Sequence, residues 1–566
     1  MLSADALTFP NFFSSFGLPD VLALLIIVSV LYTIKFYVSY FNRDNALPGP
    51  LPLPIVGNLL QFAMYGDMVL WVDVLHKKYG DLWELYMGSE RHIWVSRADL
   101  VDKLFSTSTK SNFKYRTKGN RALAEIKLLD HGIGMNRDLN LWAFNRKMMK
   151  LVMTSKEFNE YVLKIVPKMV NEMETYWTKL GYIEDARQND LNDNVNTNAT
   201  VGDVKIINLP DWFFALTLDD ILHISTNKHG CALASLLLSH SPNSEIPYSP
   251  ETMNYAKEFR DSWATFMESI STAIFMPDLV RLGTPIGLMK RRKYLKNSHW
   301  LNNNLLSMIR EKRAEIENEV NDDSSKTNYD ILRLLLVANT PRGHVVKRGS
   351  DETDKPMSDD EVRGLLLEIL VASVESSASL MCFVIYLVRH NPEVKKKIRE
   401  EVDPLFKDNP NGILQLDDVN KKLDYLEAVI KETTRIYPSG PINQRLSSQD
   451  DEIGGYKWKA GTQFMIDVVG IHNHRAHWSN PEEFKPERFL SQSKDIVPNS
   501  IQTFGGGLRI CPGKQYGMLF TKIVLASLYN RYDIELANEN EKPVAVYRIA
   551  LHCHRLRVKL KKRSVI

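Results

Sequence analysis

One cysteine of this sequence lies in a setting that suits metal chemistry. Cys511 follows three consecutive glycines and an arginine in the stretch FGGGLRICPG, which runs from Phe504 to Gly513. Consecutive glycines permit backbone conformations that other residues rarely adopt, so this loop can wrap one side chain and approach a flat ligand closely. A strongly apolar helical segment follows, and a helix entry stabilises a thiolate. Such a stabilised thiolate has the chemistry that an axial ligand of haem iron requires.

The same stretch fits F-x-x-G-x-R-x-C-x-G and resembles the haem-binding signature of the cytochrome P450 superfamily, in its membrane-anchored, microsomal form. The resemblance implies that Cys511 is the proximal iron ligand and that Arg509 contacts a haem propionate. Phe504 and Gly513 stand at two other fixed positions of the signature and join the cofactor-binding set by the same likeness. The competing interpretation is a glycine-rich turn with an inert cysteine. It is disfavoured because further motifs of the family occur in this sequence in the family's order.

Two of these motifs concern a structural network. The stretch ETTR, from Glu432 to Arg435, resembles the E-x-x-R motif, and residues three apart share a helix face. The stretch PERF supplies Arg488. In the family these three side chains form a buried network that holds the haem core, so Glu432, Arg435 and Arg488 are predicted to be structural. Taken alone, Glu432 and Arg435 would be interpreted as an ordinary surface pair.

Further motifs predict partners for the haem propionates. Trp142 and Arg146 match W-x-x-x-R, whose i, i+4 spacing places both side chains on one helix face. By resemblance they contact a propionate through the indole N–H and the guanidinium. Arg445 ends the stretch YPSGPINQR, which is similar to the family's strand after the E-x-x-R helix, and is predicted to be another propionate partner. Without this context, W-x-x-x-R describes a core tryptophan beside a surface arginine equally well.

The oxygen-activating residues are expected on a long apolar helix from Glu361 to His390. Its stretch ASVESS resembles the family pattern [AG]-G-x-[DE]-T-[TS], with Glu375 at the acidic position. Ser376 replaces the usual threonine and Ser373 the usual glycine. The resemblance implies that Glu375 and Ser376 are catalytic and guide protons to bound dioxygen, because serine keeps the hydroxyl. The alternative is that the serines are small packing residues.

An apolar segment near the amino terminus predicts a membrane anchor. Val21 to Phe41 spans 21 residues, about 31 Å as a helix, which crosses a bilayer core of about 30 Å. Lys35 and Arg43 place positive charge after the span, which favours a cytosolic body. No basic region precedes it, which argues against a cleaved signal peptide.

The remaining chain is divided by proline and polarity. Four prolines within LPGPLPLP predict a stiff, non-helical hinge, so we expect an anchor over 1–42, a hinge over 43–58 and a haem-binding catalytic domain over 59–566. Two polar stretches, 184–203 and 318–357, are interpreted as insertions. A length of 566 residues suggests three or four domains, but the motifs favour one anchor and one large domain.

Composition excludes several classes of protein. Lys and Arg total 71 and Asp and Glu 68, so the net charge is +3 and a dedicated nucleic-acid binder is disfavoured. Four cysteines without a CxxC pair exclude a disulfide framework and a zinc ribbon. The histidine clusters GIHNHRAHW (His472, His474, His477) and HCH (His552, His554) fit no zinc spacing well and are interpreted as non-ligands.

The resemblance implies a mainly α fold with a small β lobe (α+β). It implies a haem b monooxygenase of the endoplasmic reticulum membrane that inserts one oxygen atom from O2 into a sterol, fatty acid or terpenoid-like substrate. Electrons would come from NADPH through a separate flavoprotein reductase, since no G-x-G-x-x-G or P-loop is present. A basic reductase-docking face is expected from Arg146, Lys147, Lys150, Arg509 and Lys514. Two alternatives remain: a reductase-independent isomerase or dehydratase acting on a peroxide, and a non-catalytic haem or lipid carrier.

Overall fold

The computed structural model describes residues 17–566 except 117, 130, 185–204, 277, 319–328, 342–354, 408, 410–411, 413, 491–495, 548–549 and 564–566. Helices form most of this part of the chain. In order they are α1 Leu18–Phe41, α2 Leu59–Tyr65, α3 Met68–Tyr79, α4 Arg121–Glu125, α5 Leu139–Thr154, α6 Lys156–Lys179, α7 Leu209–Thr226, α8 Ala232–His240, α9 Pro250–Phe275, α10 Asp278–Gly283, α11 Pro285–Asn318, α12 Ile331–Val337, α13 Asp359–Arg389, α14 Pro392–Lys407, α15 Leu416–Lys421, α16 Asp424–Ile436, α17 Val468–Asn473 and α18 Lys514–Arg531. Short 3₁₀ turns lie at Ala98–Val101, Pro486–Phe489 and Gly507–Arg509.

The strands are short. They are β1 Leu82–Met87, β2 Glu90–Val95, β3 Ile183–Glu184, β4 Ile207–Asn208, β5 Ile442–Leu446, β6 Asp451–Ile453, β7 Tyr456–Trp458, β8 Gln463–Asp467, β9 Tyr532–Leu536, β10 Val544–Tyr547, β11 Leu551–Arg555 and β12 Arg557–Lys562. One sheet has the order β1-β2-β8-β5, with β2 and β8 parallel; β12 pairs with β3, β4 and β9. The prediction of a mainly α fold with a small β lobe is confirmed.

The amino-terminal helix α1 is apolar and exposed. The most apolar 18-residue stretch of this 24-residue helix has a mean hydropathy of 2.3, and Tyr40 is the one buried residue of the helix. The helix is therefore long and apolar enough to cross a membrane, as the sequence predicts. Helix α13 passes the same test, but two thirds of its apolar stretch is buried inside the protein (67%), which is typical of a core helix.

The proline-containing segment between α1 and α2 is non-helical and packs on the β lobe. Glu84 of β1, with 1% of its side chain exposed, accepts from Arg43 Nε at 2.5 Å and from Arg91 Nε at 2.7 Å. A carboxylate this buried is stable only when it is paired. The ion pair therefore fixes the chain that leaves α1 onto the first sheet.

Helix α13 crosses the largest cluster of buried apolar side chains. It begins with a capping box: the Ser358 N–H donates to Glu361 Oε2 at 2.7 Å, and the Glu361 N–H donates to Ser358 Oγ at 3.3 Å. Helix α12, with the apolar sequence ILRLLLV, lies inside the second polar stretch. The rest of that stretch, at 319–328 and 342–354, and most of 184–203 lie outside the described residues.

Candidate active site

The Cys511 loop joins a 3₁₀ turn to the amino terminus of α18. The Cys511 N–H donates to the Phe504 carbonyl at 2.8 Å, which closes the loop. Gly507 has φ +64°, and a Cβ added there would lie 2.5 Å from the Phe105 carbonyl oxygen. Both facts require glycine at this position. The loop thus holds Cys511, whose side chain is partly exposed, in one fixed place.

The surroundings of the thiol act in opposite directions on its acidity. Burial raises the pKa of Cys511 above its ordinary value, because a low dielectric disfavours the thiolate. The N–H of Gly513 and the positive charges of Arg116 and Arg146 act to lower the pKa. A thiolate at this position is therefore stabilised by specific donors and charges, while a metal ion would supply the remaining compensation.

Four arginines converge near the loop: Arg116, Arg146, Arg445 and Arg509. Within the described part of the chain, no acidic oxygen lies within 4 Å of any of these guanidiniums. Burial and then repulsion from Arg116 and Arg509 lower the pKa of Arg445. Burial and then repulsion from Arg116 and Arg146 lower the pKa of Arg509 to about 9. So many buried cations call for anionic partners, and carboxylates are the best match to a guanidinium.

The two most buried of these arginines bond to backbone carbonyls. Arg445, 2% exposed, donates to the carbonyls of Leu104 (3.2 Å), Gln444 (2.7 Å) and Gly506 (3.0 Å). Arg509 donates in the same way at 2.7, 3.1 and 3.4 Å to Lys114, Ile133 and Asn136. Both side chains therefore brace the loops around Cys511 in addition to supplying positive charge.

Trp142 lies on α5 beside this cluster. The Arg509 guanidinium carbon lies 4.0 Å from the Trp142 ring centroid, and the Arg146 carbon 5.9 Å from it. The indole Nε1 is buried and has no hydrogen-bond partner among the described residues. A buried indole donor usually finds an acceptor, so its direction marks a place for one.

The predicted structural network is a buried cluster at the end of α16. Glu432 and Arg435 have no exposed side-chain area, and Arg435 Nε and Nη2 each lie 2.8 Å from a carboxylate oxygen. Arg488 Nε lies 3.4 Å from Glu432 Oε1, and Lys485 donates its N–H to the same oxygen at 2.9 Å. The interpretation as a surface pair is therefore wrong.

Glu375 and Ser376 lie on neighbouring faces of α13. Glu375 is 5% exposed, whereas Ser376 is partly open. Ser376 Oγ donates to the Ala372 carbonyl at 2.6 Å, and Ser373 Oγ donates to the Ile369 carbonyl at 2.5 Å. Both serines thus bond back to the preceding turn, as hydroxyls inside helices often do. The helix continues through this point despite the missing glycine.

Sequence reasoning missed Arg116 and the role of His472. Arg116 lies in a loop without a motif, and its Nη2 donates to the Arg509 carbonyl at 3.2 Å. His472 accepts from the Gln502 N–H at 2.8 Å and contacts the Arg435 carbonyl at 3.1 Å, so it ties the network to the segment before the Cys511 loop. Burial lowers the pKa of His472 to about 3, which keeps the ring neutral.

Among the described residues, one cluster has the composition of a metal site: His76, Asp81 and His474. Both histidines approach Asp81 Oδ1 through Nε2, at 3.2 and 3.1 Å. The Nδ1 lone pair of His474 accepts from the Ala476 N–H at 3.1 Å, so its Nε2 carries the proton that Asp81 accepts. This tautomer describes a hydrogen-bonded cluster, and the interpretation of His474 as a non-ligand stays a prediction.

The expected docking face needs a correction. Arg509 is 3% exposed and its donors are used by carbonyls, so it cannot face a partner protein. Arg146 is half-buried in the arginine cluster. Lys147, Lys150 and Lys514 are exposed and remain available.

Comparison with known proteins agrees with this architecture. The family model for cytochrome P450 matches residues 47–200 and 249–561. Cytochrome P450 3A17 of Cavia porcellus is 25% identical over 94% of this chain and 93% of its own length, and cytochrome P450 3A6 of Oryctolagus cuniculus is 25% identical over 89% and 88%. The crystal structure of the cytochrome P450DA heme domain superposes with a TM-score of 0.72, at 20% identity, over 92% of this chain and 99% of that one.

The fold and the cysteine loop thus define a helix-rich haem-thiolate protein. The chain belongs to the cytochrome P450 family, and it is a cytochrome P450 monooxygenase. The family implies haem, and the site fits it. Haem is flat and carries two carboxylates. These features match a closely wrapped cysteine and, within the described residues, four buried or half-buried arginines without a carboxylate partner and an indole donor without an acceptor.

Proposed function

We propose that this enzyme inserts one oxygen atom from O2 into a lipophilic substrate of the sterol, fatty acid or terpenoid type. Electrons reach it from NADPH through a separate flavoprotein reductase. The observation that carries the proposal is the Cys511 loop beside four buried or half-buried arginines, which together suit a thiolate-ligated haem b. When bound, the haem supplies the redox and oxygen chemistry that the side chains lack.

The residues around the haem have distinct tasks. Cys511 ligates the iron, and Phe504 and Gly513 shape the loop that holds it. Trp142, Arg146 and Arg445 bind the propionates together with Arg116. Arg509, the remaining propionate partner that the resemblance implies, also positions the loops through its bonds to carbonyls, as Arg445 does. Glu432, Arg435 and Arg488 hold the underlying structure.

Protons are delivered from α13 by Glu375 and Ser376. The Ser376 Oγ–H is held by the Ala372 carbonyl, so both oxygen lone pairs can accept from water on the open side of the helix. A turn of the hydroxyl away from that carbonyl then passes a proton toward the distal side. Glu375, buried one residue earlier, replaces the proton.

The anchor over 1–42 holds the protein in the endoplasmic reticulum membrane as a single span with the catalytic domain, 59–566, in the cytosol. The hinge over 43–58 connects the two parts. The lysines at 147, 150 and 514 form the docking face for the reductase.

The test of the haem ligand is a reduced, carbon-monoxide difference spectrum of the full-length protein. We expect a thiolate-type Soret band that Cys511→Ser abolishes and that Cys231→Ser, a change of a buried cysteine elsewhere, leaves in place. A thiolate-type band that persists in Cys511→Ser would refute the proposal.

The test of the proton path compares Ser376→Ala with Ser377→Ala, a buried neighbour on the same helix. Ser376→Ala should lower product formation and raise peroxide release per NADPH consumed. Turnover and peroxide release that both stay unaltered in Ser376→Ala would exclude the hydroxyl from the path.

A further inference from the structure

A carboxylate that the proton path does not use lies two turns before Ser376. Glu368 occurs eight residues earlier on α13, so it shares a helix face with Ala372 and Ser376. Its Oε2 accepts from the N–H groups of Ile133 (2.5 Å) and Gly134 (2.7 Å), and Oε1 from that of Met135 (3.4 Å). One side chain thus receives three consecutive backbone donors from a loop.

The loop and the helix are packed too closely for side chains at their contact. A Cβ added to Gly132 would lie 2.0 Å from Glu368 Cδ, and a Cβ added to Gly364 would lie 2.7 Å from His131 Cβ. Real carbon atoms do not approach this closely. Glycine is therefore required at position 364, which faces the loop backbone, and a Cβ at position 132 would displace the Glu368 carboxylate. The contact is therefore specific in shape as well as in hydrogen bonding.

The segment 131–136 is held from two further directions. Asn145 of α5 donates to the His131 carbonyl at 2.6 Å, and Arg509 of the cysteine loop donates to the Ile133 carbonyl at 3.1 Å. The segment consequently connects the helix on the distal side with the loop on the thiolate side. Glu368 is the contact on the distal side.

Burial outweighs the other influences on Glu368 and raises its pKa, although the three N–H groups and the Arg116 charge act to lower it. A carboxylate that accepts backbone N–H groups makes charge-assisted hydrogen bonds, which are about twice as strong as neutral ones.

We propose that Glu368 is a positioning residue whose carboxylate clamps segment 131–136 against α13 and so fixes one wall of the substrate pocket. The clamp rests on the proposed function, because its effect is on substrate-sized ligands of the haem site. It acts through the backbone of the loop and does not contact the iron ligand.

The experiment compares four variants of the full-length holoprotein. Glu368→Ala removes every acceptor, Glu368→Gln keeps one carbonyl oxygen, and Gly132→Ala breaks the same contact from the loop without changing a charge. Asp360→Asn, an exposed carboxylate on the same helix, is the matched control. Hydrogen exchange of the 133–135 amides should accelerate about tenfold or more in Glu368→Ala, the factor that one lost charge-assisted bond implies. Glu368→Gln should be intermediate, Gly132→Ala similar to Glu368→Ala, and Asp360→Asn unchanged.

A second readout separates the clamp from general destabilisation. Imidazole probes the iron alone, whereas 4-phenylimidazole also contacts the pocket wall. We expect Glu368→Ala to lower the affinity for 4-phenylimidazole several-fold and to leave the affinity for imidazole unchanged. Unchanged exchange in Glu368→Ala and Gly132→Ala, or equal losses for both ligands, would overturn the clamp. The carbon-monoxide spectrum of the same samples tests the haem-thiolate proposal separately. If that proposal fails, the thiolate band is absent from every variant and from the wild type; if only the clamp fails, the band is present in all of them.

Discussion

The Glu432 carboxylate is the group whose removal should damage the fold most. It has no exposed area and it compensates two cations, Arg435 at 2.8 Å and Arg488 at 3.4 Å. In Glu432→Gln one oxygen becomes an NH2 group that faces donors, and both guanidiniums lose their counter-charge. Removing one partner of a buried ion pair costs about 3–5 kcal/mol.

The size of this effect follows from the contacts. The carboxylate accepts three hydrogen bonds, two from Arg435 and one from the Lys485 N–H, and the glutamine carbonyl can keep only those on its own side. Arg488→Gln leaves the bidentate pair intact and removes two bonds to backbone carbonyls, at 2.6 and 2.8 Å. We therefore expect Glu432→Gln to cost more than Arg488→Gln, whose loss should be about 1–3 kcal/mol.

Urea unfolding of the detergent-solubilised holoprotein measures the free energy of unfolding of both variants. Loss of the thiolate-type Soret band and the change in tryptophan fluorescence are the two parallel signals. The control is Glu482→Gln, an exposed glutamate of the same region whose pair with Arg475 spans 3.7 Å. Its cost should be within about 0.5 kcal/mol. A loss below about 1 kcal/mol for Glu432→Gln, or one no larger than for Arg488→Gln, would refute the reasoning from burial and charge.

Three further perturbations test other parts of the structure. Burial raises the pKa of Asp220 to about 7, although Tyr516 donates a hydrogen bond to its carboxylate at 2.5 Å. Because this pKa is raised in the folded state, the stability that Asp220 contributes is complete below about pH 4 and is lost as the pH rises through 7. Asp220→Asn should therefore reduce the fall of the unfolding midpoint between pH 4 and pH 7, and an unchanged slope would contradict this. Glu84→Gln should weaken the attachment of residues 43–58 to the first sheet by about 3–5 kcal/mol. Limited proteolysis should then cleave this segment, whereas the surface change Asp99→Asn should leave it protected. Trp142→Phe keeps the ring and deletes the indole donor, so haem should be lost to apomyoglobin about tenfold faster without a change in circular dichroism; equal rates would exclude the donor from haem binding.

The sequence predicts those parts of the site that lie in short, contiguous patterns. Cys511 and its glycines are adjacent in the chain, and the required φ at Gly507 is a local property of the backbone. Glu432 and Arg435 are three residues apart on one helix, so their pairing also follows from local geometry. The capping box that starts α13 is likewise set by residues close together in the chain. The helix ends at Arg389, one residue before the predicted end at His390.

Contacts between distant segments carry no such pattern. Arg116 and Glu368 are 252 positions apart, and nothing in either stretch indicates that folding places them beside the same loop. Arg509 is a residue that a motif identifies but whose contacts the motif does not predict. Only the structure shows that its N–H groups donate to the carbonyls of Lys114, Ile133 and Asn136. An exposed docking role for Arg509 therefore could not be excluded from charge alone, because a motif identifies a residue's neighbourhood and leaves its hydrogen-bond partners open.

The same distinction bears on Ser376. Its hydroxyl can take part in the predicted chemistry, yet the bond donated to the Ala372 carbonyl competes with any bond that the hydroxyl would donate to water. A threonine at this position would have a more restricted χ1, whereas serine turns more freely between the two partners. The substitution should therefore preserve proton delivery while loosening its geometry, so that Ser376→Thr is expected to lower peroxide release without raising maximal turnover. An increase in peroxide release in Ser376→Thr would show that the serine, with its backbone bond, is the better-ordered donor in this helix.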